Sequence, residues 1–171
     1  MKKINKDGLL LCKLQATAFE NSIGKMDSSS EIFIRRFMNS KVVKSLDNLS
    51  ILDSNIQAND ILQLINDEYG ITNYGSVKYT RNEMYWIGYI YRYFSFTYEL
   101  SSVQVYKIVK PKELRELFLP YHTMDPSQAI ERILEAKGML TDKNAELERQ
   151  YKIFKRIRTT NKQQHFSQST I

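Results

Sequence analysis

The sequence predicts an all-α fold, a compact multi-helix bundle of about six to eight helices with a basic C-terminal helix and a disordered tail. Three observations predict it. Apolar residues recur at helical spacing along most of the chain. Helix-start signals stand before several of those stretches. Glycine and proline are scarce, six and three among 171 residues, too few for a many-turned β-sandwich. With 42% apolar and 12% aromatic residues, the chain can bury roughly 70% of the surface it would expose unfolded. One cysteine, Cys12, excludes a disulfide framework and a cysteine-rich zinc site.

The elements follow in order. Leu10, Leu14, Ala18 and Phe19 predict a helix over 7–23, stopped by Gly24. Ser28 and Glu31 have capping-box spacing and open a second helix through Phe33, Phe37 and Met38. That helix is expected to run on through Val42, Val43 and Leu46, although Asn39-Ser40 weakens it. Residues 47–56 read as a polar connector with Leu49, Ile51 and Leu52 dipping inward. A helix over 57–69 ends at Gly70, and a turn-rich loop leads to Lys78. Thr80 with Glu83 starts a helix reaching Phe96 or Tyr98, and Ser101 with Gln104 starts a short one to Val109. Lys110-Pro111 breaks it, and a helix over 111–118 stops before Pro120. Asp125-Pro126-Ser127-Gln128 is the clearest start in the chain, and Gly138 closes that helix. The last helix runs from Thr141 to Arg158, with Leu147, Tyr151, Phe154 and Ile157 on one face. The expected division is a helical domain over 1–140 and a basic C-terminal helix and tail over 141–171.

Charge supports that division. Of the net +6, residues 143–171 supply +5, with Lys143, Arg149, Lys152, Lys155, Arg156, Arg158 and Lys162 against Glu146 and Glu148. Only this segment makes a case for nucleic acid. No run reaches ~18 apolar residues, and Leu9-Leu10-Leu11-Cys12 is too short for a signal-peptide core. A cytoplasmic protein with no membrane contact is expected.

The densest feature is aromatic. Residues 69–98 hold eight of the eleven tyrosines together with Trp86, Phe94 and Phe96. The plain reading is a central helix buried by its neighbours, with Tyr hydroxyls finding partners inside. The functional reading is an aromatic surface for a partner or for stacked bases; the candidate partner-protein contacts are Tyr85, Trp86, Tyr89, Arg92 and Tyr93 together with Arg35 and Arg36. Arg92 is a cation–π strut or a binding residue. The helices over 101–109 and 111–118 resemble a helix-turn-helix, with Lys110, Lys112 and Arg115 as candidate phosphate contacts. Glu113 and Glu116 dilute that charge, so bundle packing is the stronger reading. Lys152, Lys155, Arg156 and Arg158 are the remaining nucleic-acid candidates. His122 lacks a nucleophile or carboxylate at a recognisable spacing and is expected to hydrogen-bond a loop carbonyl. Two distant histidines and one cysteine make no metal site, so no cofactor or metal is expected.

Four strings stand out: Ser30-Glu-Ile-Phe-Ile-Arg-Arg-Phe-Met-Asn-Ser40, Tyr74-Gly-Ser-Val-Lys-Tyr79, Glu83-Met-Tyr-Trp-Ile-Gly-Tyr-Ile-Tyr-Arg-Tyr93, and Tyr121-His-Thr-Met-Asp-Pro126 with Ala129-Ile-Glu-Arg-Ile-Leu134. On these, residues 8–137 resemble a small bacterial all-α family associated with toxin–antitoxin-type loci. Some members of that family are labelled antitoxins. The resemblance implies a non-enzymatic antitoxin that neutralises a cognate toxin by direct binding, with operator DNA as a further partner and homo-oligomers as an option. It carries no catalytic residues. The alternatives are a helix-turn-helix regulator and a small enzyme built on Tyr121, His122 and Arg92.

Overall fold

The computed structural model describes residues 1–140, so the predicted helix over 141–158 and the tail beyond it lie outside the described residues. Among the described residues the fold is all-α: eight α-helices, one 3-10 turn and no strand. They are α1 (Lys6–Lys25), α2 (Ser30–Asn39), α3 (Lys41–Asp47), α4 (Ala58–Tyr69), α5 (Arg81–Tyr98), α6 (Ser102–Ile108), α7 (Pro111–Tyr121) and α8 (Pro126–Ala136). The chain divides into two compact units, Met1–Ile130 and Glu131–Ile171.

The first unit is built on α1 and α5, packed antiparallel along their lengths. Gly8 of α1 lies against Phe96, and Gly88 of α5 lies against Ala16 and Phe19. A Cβ on Gly88 would stand 2.8 Å from Phe19 Cγ and 3.0 Å from both the Ala16 Cα and the Gln15 carbonyl oxygen. Absence of a side chain there lets the two backbones approach, and Gln15 Nε2 donates to the Gly88 carbonyl across the seam at 3.1 Å. Beside the seam, Phe19 meets Phe33 and Phe37 edge-to-face and joins α1 to α2, with centroids 5.4 and 4.8 Å apart. Tyr91, fully buried in α5, donates its hydroxyl to the Val109 carbonyl at 2.9 Å. The buried reading of the aromatic helix therefore holds for its second half, Ile90 to Thr97.

Local signals place most helix starts. Capping boxes stand at Thr80–Glu83 and Ser101–Gln104. Asp125 Oδ1 accepts from the Ser127 amide at 2.8 Å, and the hydroxyl and amide of Ser127 hold this carboxyl below its ordinary value. Four boundaries differ from expectation. α1 continues through Gly24 to Lys25. Ser29, not Ser28, caps α2, accepting from the Ile32 amide at 3.3 Å, because Glu31 is engaged elsewhere. The helix expected to continue past Asn39 breaks at Ser40, which is extended (φ −76°, ψ 167°) and serves both ends. Its hydroxyl donates to the Phe37 carbonyl at 2.7 Å and accepts from the Val43 amide at 3.2 Å. Finally, α7 runs through Pro120 to Tyr121, since a proline in the last turn disturbs little of the helix after it. In the 47–56 connector Ile51 is buried, but Leu49 is exposed and left-handed (φ 66°).

Gly88→Ala is expected to destabilise the protein by ~1–3 kcal/mol through overpacking of the seam. The loss should exceed the helix-propensity gain of about 1 kcal/mol. Urea unfolding checks this; a higher midpoint would show that the helices can move apart at no cost.

Candidate functional site

The predicted site residues separate into three places. The first is internal. Arg92 is 1% exposed, and each of its three guanidinium nitrogens has a partner. Nε donates to Gln15 Oε1 at 2.8 Å, Nη1 to Asp47 Oδ1 at 2.8 Å, and Nη2 to Ser102 Oγ at 2.8 Å. Asp47 also accepts from the Ser102 hydroxyl (2.7 Å) and amide (3.0 Å). Burial pulls the Arg92 guanidinium below its ordinary pKa, and Asp47 opposes that pull. Arg92 is thus neither a partner contact nor a cation–π strut; it is an ion-paired tie joining α1, α3, α5 and α6. Tyr93, 9% exposed, is also removed from the expected surface, because its face of α5 is covered. Burial pushes the nearby Cys12 thiol up to about 12, which keeps it protonated and unreactive at neutral pH.

The second place is the edge of α5 that runs from exposed Tyr85 inward to buried Tyr93. Tyr85, Tyr89 and Tyr93 stack in sequence at i, i+4 spacing, 6.5 and 6.3 Å between centroids. Tyr85 is exposed and Tyr89 half-buried; burial first, then neighbouring negative charge, pushes the Tyr89 phenol up to about 12. Trp86, half-buried, meets Phe118 edge-on at 5.8 Å, and Phe118 stacks on His122 at 4.7 Å. His122 is exposed, and its Nδ1–H donates to the Phe118 carbonyl at 2.9 Å, a carbonyl of α7 and not of a loop as expected. It shares no partner with Arg92, so the structure does not assemble the Tyr121–His122–Arg92 constellation.

The third place unites residues from two predicted sets. Arg35 of α2 and Lys110 and Lys112 at the start of α7 line one open cleft of about 440 Å³. Glu31, Ile32, Gly75 and Tyr106 complete its walls. Lys110 Nζ lies 4.0 Å above the Tyr106 ring. Tyr106 has its phenol raised by burial, with Arg35 opposing and Glu31 adding to the shift. Arg115 is not among the lining residues; it pairs with Glu83 at 3.3 Å and lies 4.3 Å over the Tyr79 ring. That ion pair removes one of the three charges expected to meet DNA phosphates.

Above the cleft runs an irregular strap, residues 70–80, which lies across the first turn of α2. The Ser29 and Ser30 amides donate to the Tyr74 and Val77 carbonyls at 2.8 and 3.0 Å. Tyr79 closes the strap: its amide donates to Ser30 Oγ and its hydroxyl to Glu31 Oε1, both at 2.8 Å. Lys78 Nζ donates to the Met26 carbonyl. Gly75 is left-handed (φ 76°), and a Cβ there would lie 2.5 Å from Ser29 Oγ. This backbone is fixed, yet its large side chains face solvent: Ile71 is 74%, Tyr74 61% and Val77 55% exposed. Arg36 stands over the Tyr69 and Tyr74 rings at 5.5 and 5.9 Å. Sequence reasoning read this segment only as a turn-rich loop. Ile71, Tyr74 and Val77, three large side chains around Gly70 and Gly75 with no periodicity to bury them, are the available signal.

No protein-family model matches this chain, and neither a curated protein nor a solved structure matches it. Among the described residues no cluster of His, Cys, Asp or Glu has metal-holding geometry, and no helix is long and apolar enough to cross a membrane. Lys152, Lys155, Arg156 and Arg158 lie outside the described residues. What the geometry defines is a helical scaffold presenting an apolar strap beside a cationic cleft.

Asp47→Asn is expected to cost ~2–4 kcal/mol, because it leaves Arg92 charged and buried; the figure is lowered somewhat for the partial exposure of Asp47. Denaturant unfolding of Asp47→Asn, Arg92→Met and the double variant checks it. The double variant should lose less than the two single losses added together.

Proposed function

We propose that this protein acts by capturing a partner protein, in the manner of an antitoxin that covers its toxin, through the strap and the adjoining arginines. The observation that carries the reading is the exposure of Ile71, Tyr74 and Val77 on a strap whose backbone is bonded to the start of α2 at Tyr74, Val77 and Tyr79. Apolar side chains grouped on a fixed surface have no packing role in the free protein and mark a protein-binding face. Arg36 with Tyr69 and Tyr74 adds the residue types that dominate interface energies. Arg35 and the exposed Tyr85 widen the candidate face; Trp86 and Tyr89, half-buried, contribute their edges. A pre-ordered strap loses little conformational freedom on docking, which favours tight binding from a small area. Homo-oligomers would use the same kind of surface. DNA reading by α6 and α7 draws less support, since Arg115 is paired and Lys110 and Lys112 face a concavity rather than a ridge.

A tagged pull-down from the native cell, eluted without salt and read by mass spectrometry and nucleic-acid staining, tests this. The wild-type chain should recover one stoichiometric protein. The triple variant Ile71→Ser, Tyr74→Ser, Val77→Ser should lose it while keeping its thermal midpoint. Recovery of nucleic acid alone, released by salt, would transfer the function to a regulator; retention of the partner by the triple variant would clear the strap.

A further inference from the structure

We infer that the cleft between α2 and α7 is a binding site for a small molecule carrying a phosphate dianion. This goes beyond partner capture: of the residues given to the partner face the cleft shares only Arg35, and of the strap only Gly75 lines it. Three observations converge on it. The first is charge. Arg35, Lys110 and Lys112 face Glu31 alone, so the lining carries two net positive charges. A phosphomonoester carries about −1.5 to −2 at neutral pH, which matches; a single carboxylate does not. Glu31 is itself held in place, accepting the Tyr79 hydroxyl at 2.8 Å, and its remaining lone pairs suit a hydroxyl on the ligand's organic part.

The second observation is size. At about 440 Å³ the cleft falls within the span of small-molecule sites and holds more than a lone ion. Tyr106 provides an aromatic part of the wall. The third is order. The cations stand on helices rather than on loops: Arg35 mid-way along α2, Lys110 and Lys112 at the first turn of α7. Lys110 is laid over the Tyr106 ring, and it caps α7 without any side-chain hydrogen bond to the helix. The positive end of the 11-residue α7 dipole therefore adds to the lysine charges at this mouth. The guanidinium of Arg35 supplies the forked donor geometry that phosphate oxygens accept, while the lysines act as point charges.

The test is a titration of the full chain at constant ionic strength, followed by amide NMR shifts and calorimetry. The probes are inorganic phosphate and glycerol phosphate, with acetate and chloride as monoanion controls. Phosphate should bind saturably where the monoanions do not, moving the amides of Gly75, Tyr106 and Lys112. Arg35→Gln and Lys112→Gln should each weaken it roughly tenfold at an unchanged thermal midpoint. Lys107→Gln, exposed on α6 but outside the lining, should leave it unchanged. Tighter binding of glycerol phosphate would assign the organic part to the Tyr106 wall; equal binding would assign the site to the phosphate group alone. Phosphate shifts no larger than chloride shifts, or full binding by Lys112→Gln, would overturn the proposal. So would binding of an acidic peptide at these residues without phosphate binding, which would give the cleft to a partner protein. The pull-down reads the strap and this titration reads the cleft, so either reading can fail alone.

Discussion

Burying one arginine sets the terms for the rest of the first unit. A guanidinium taken out of water costs several kcal/mol unless its charge and its N–H groups are all met. Arg92 meets that demand with groups from three other helices: Gln15 of α1, Asp47 at the end of α3 and Ser102 at the start of α6. The partners are themselves tied together, Asp47 to Ser102 and Gln15 to the Gly88 carbonyl. Helices that could otherwise slide as apolar cylinders are thereby held in one arrangement. A core of leucines and phenylalanines would be content with several packings; a buried charge with directional donors accepts few.

The surface features inherit that order. α6 is placed by Ser102 and by the buried Val105, and it delivers Tyr106 to the cleft wall. α7 follows after a two-residue break, which puts Lys110 and Lys112 across from Arg35. On the opposite wall, the strap and α2 complete one another. Strap carbonyls take the Ser29 and Ser30 amides at the start of α2, and the Ser29 hydroxyl, nested against Gly75, takes that of Ile32. A chain of polar contacts, Glu31 to Tyr79 to Arg115 to Glu83, then links α2 through the strap and α7 to α5. The cleft is therefore bounded on every side by elements that are fixed for reasons internal to the fold.

What the sequence made legible was local. Thr80 with Glu83, Ser101 with Gln104, and Asp125 with Pro126 each act within four residues, and each helix begins where those signals place it. Ser28 with Glu31 looks the same in sequence but fails, because Glu31 accepts instead from Tyr79, 48 residues away. The break at Ser40 depends on a hydroxyl serving two helices at once, which spacing alone does not reveal. Arg92 was visible as an arginine among rings, yet its partners lie 10 to 77 residues distant. Of the candidate site, Arg35, Lys110 and Lys112 were each singled out, but for different functions. Only tertiary structure brings them to one cleft. The strap went unread because its exposure is a property of the fold, not of its composition.

The central seam has a consequence for synthesis. α1 finds its principal partner in α5, whose last residue, Tyr98, follows the end of α1 by 73 positions. At ribosomal rates of ~5–20 residues per second, the apolar stripe of α1 waits roughly 4–15 s before its mate emerges. During that interval Leu11, Phe19 and their neighbours are exposed on a tethered nascent chain. The helix that organises the finished unit is thus one that needs protection by chaperones while it waits, and crowding of ribosomes on one message would raise the chance of its pairing with a neighbouring chain.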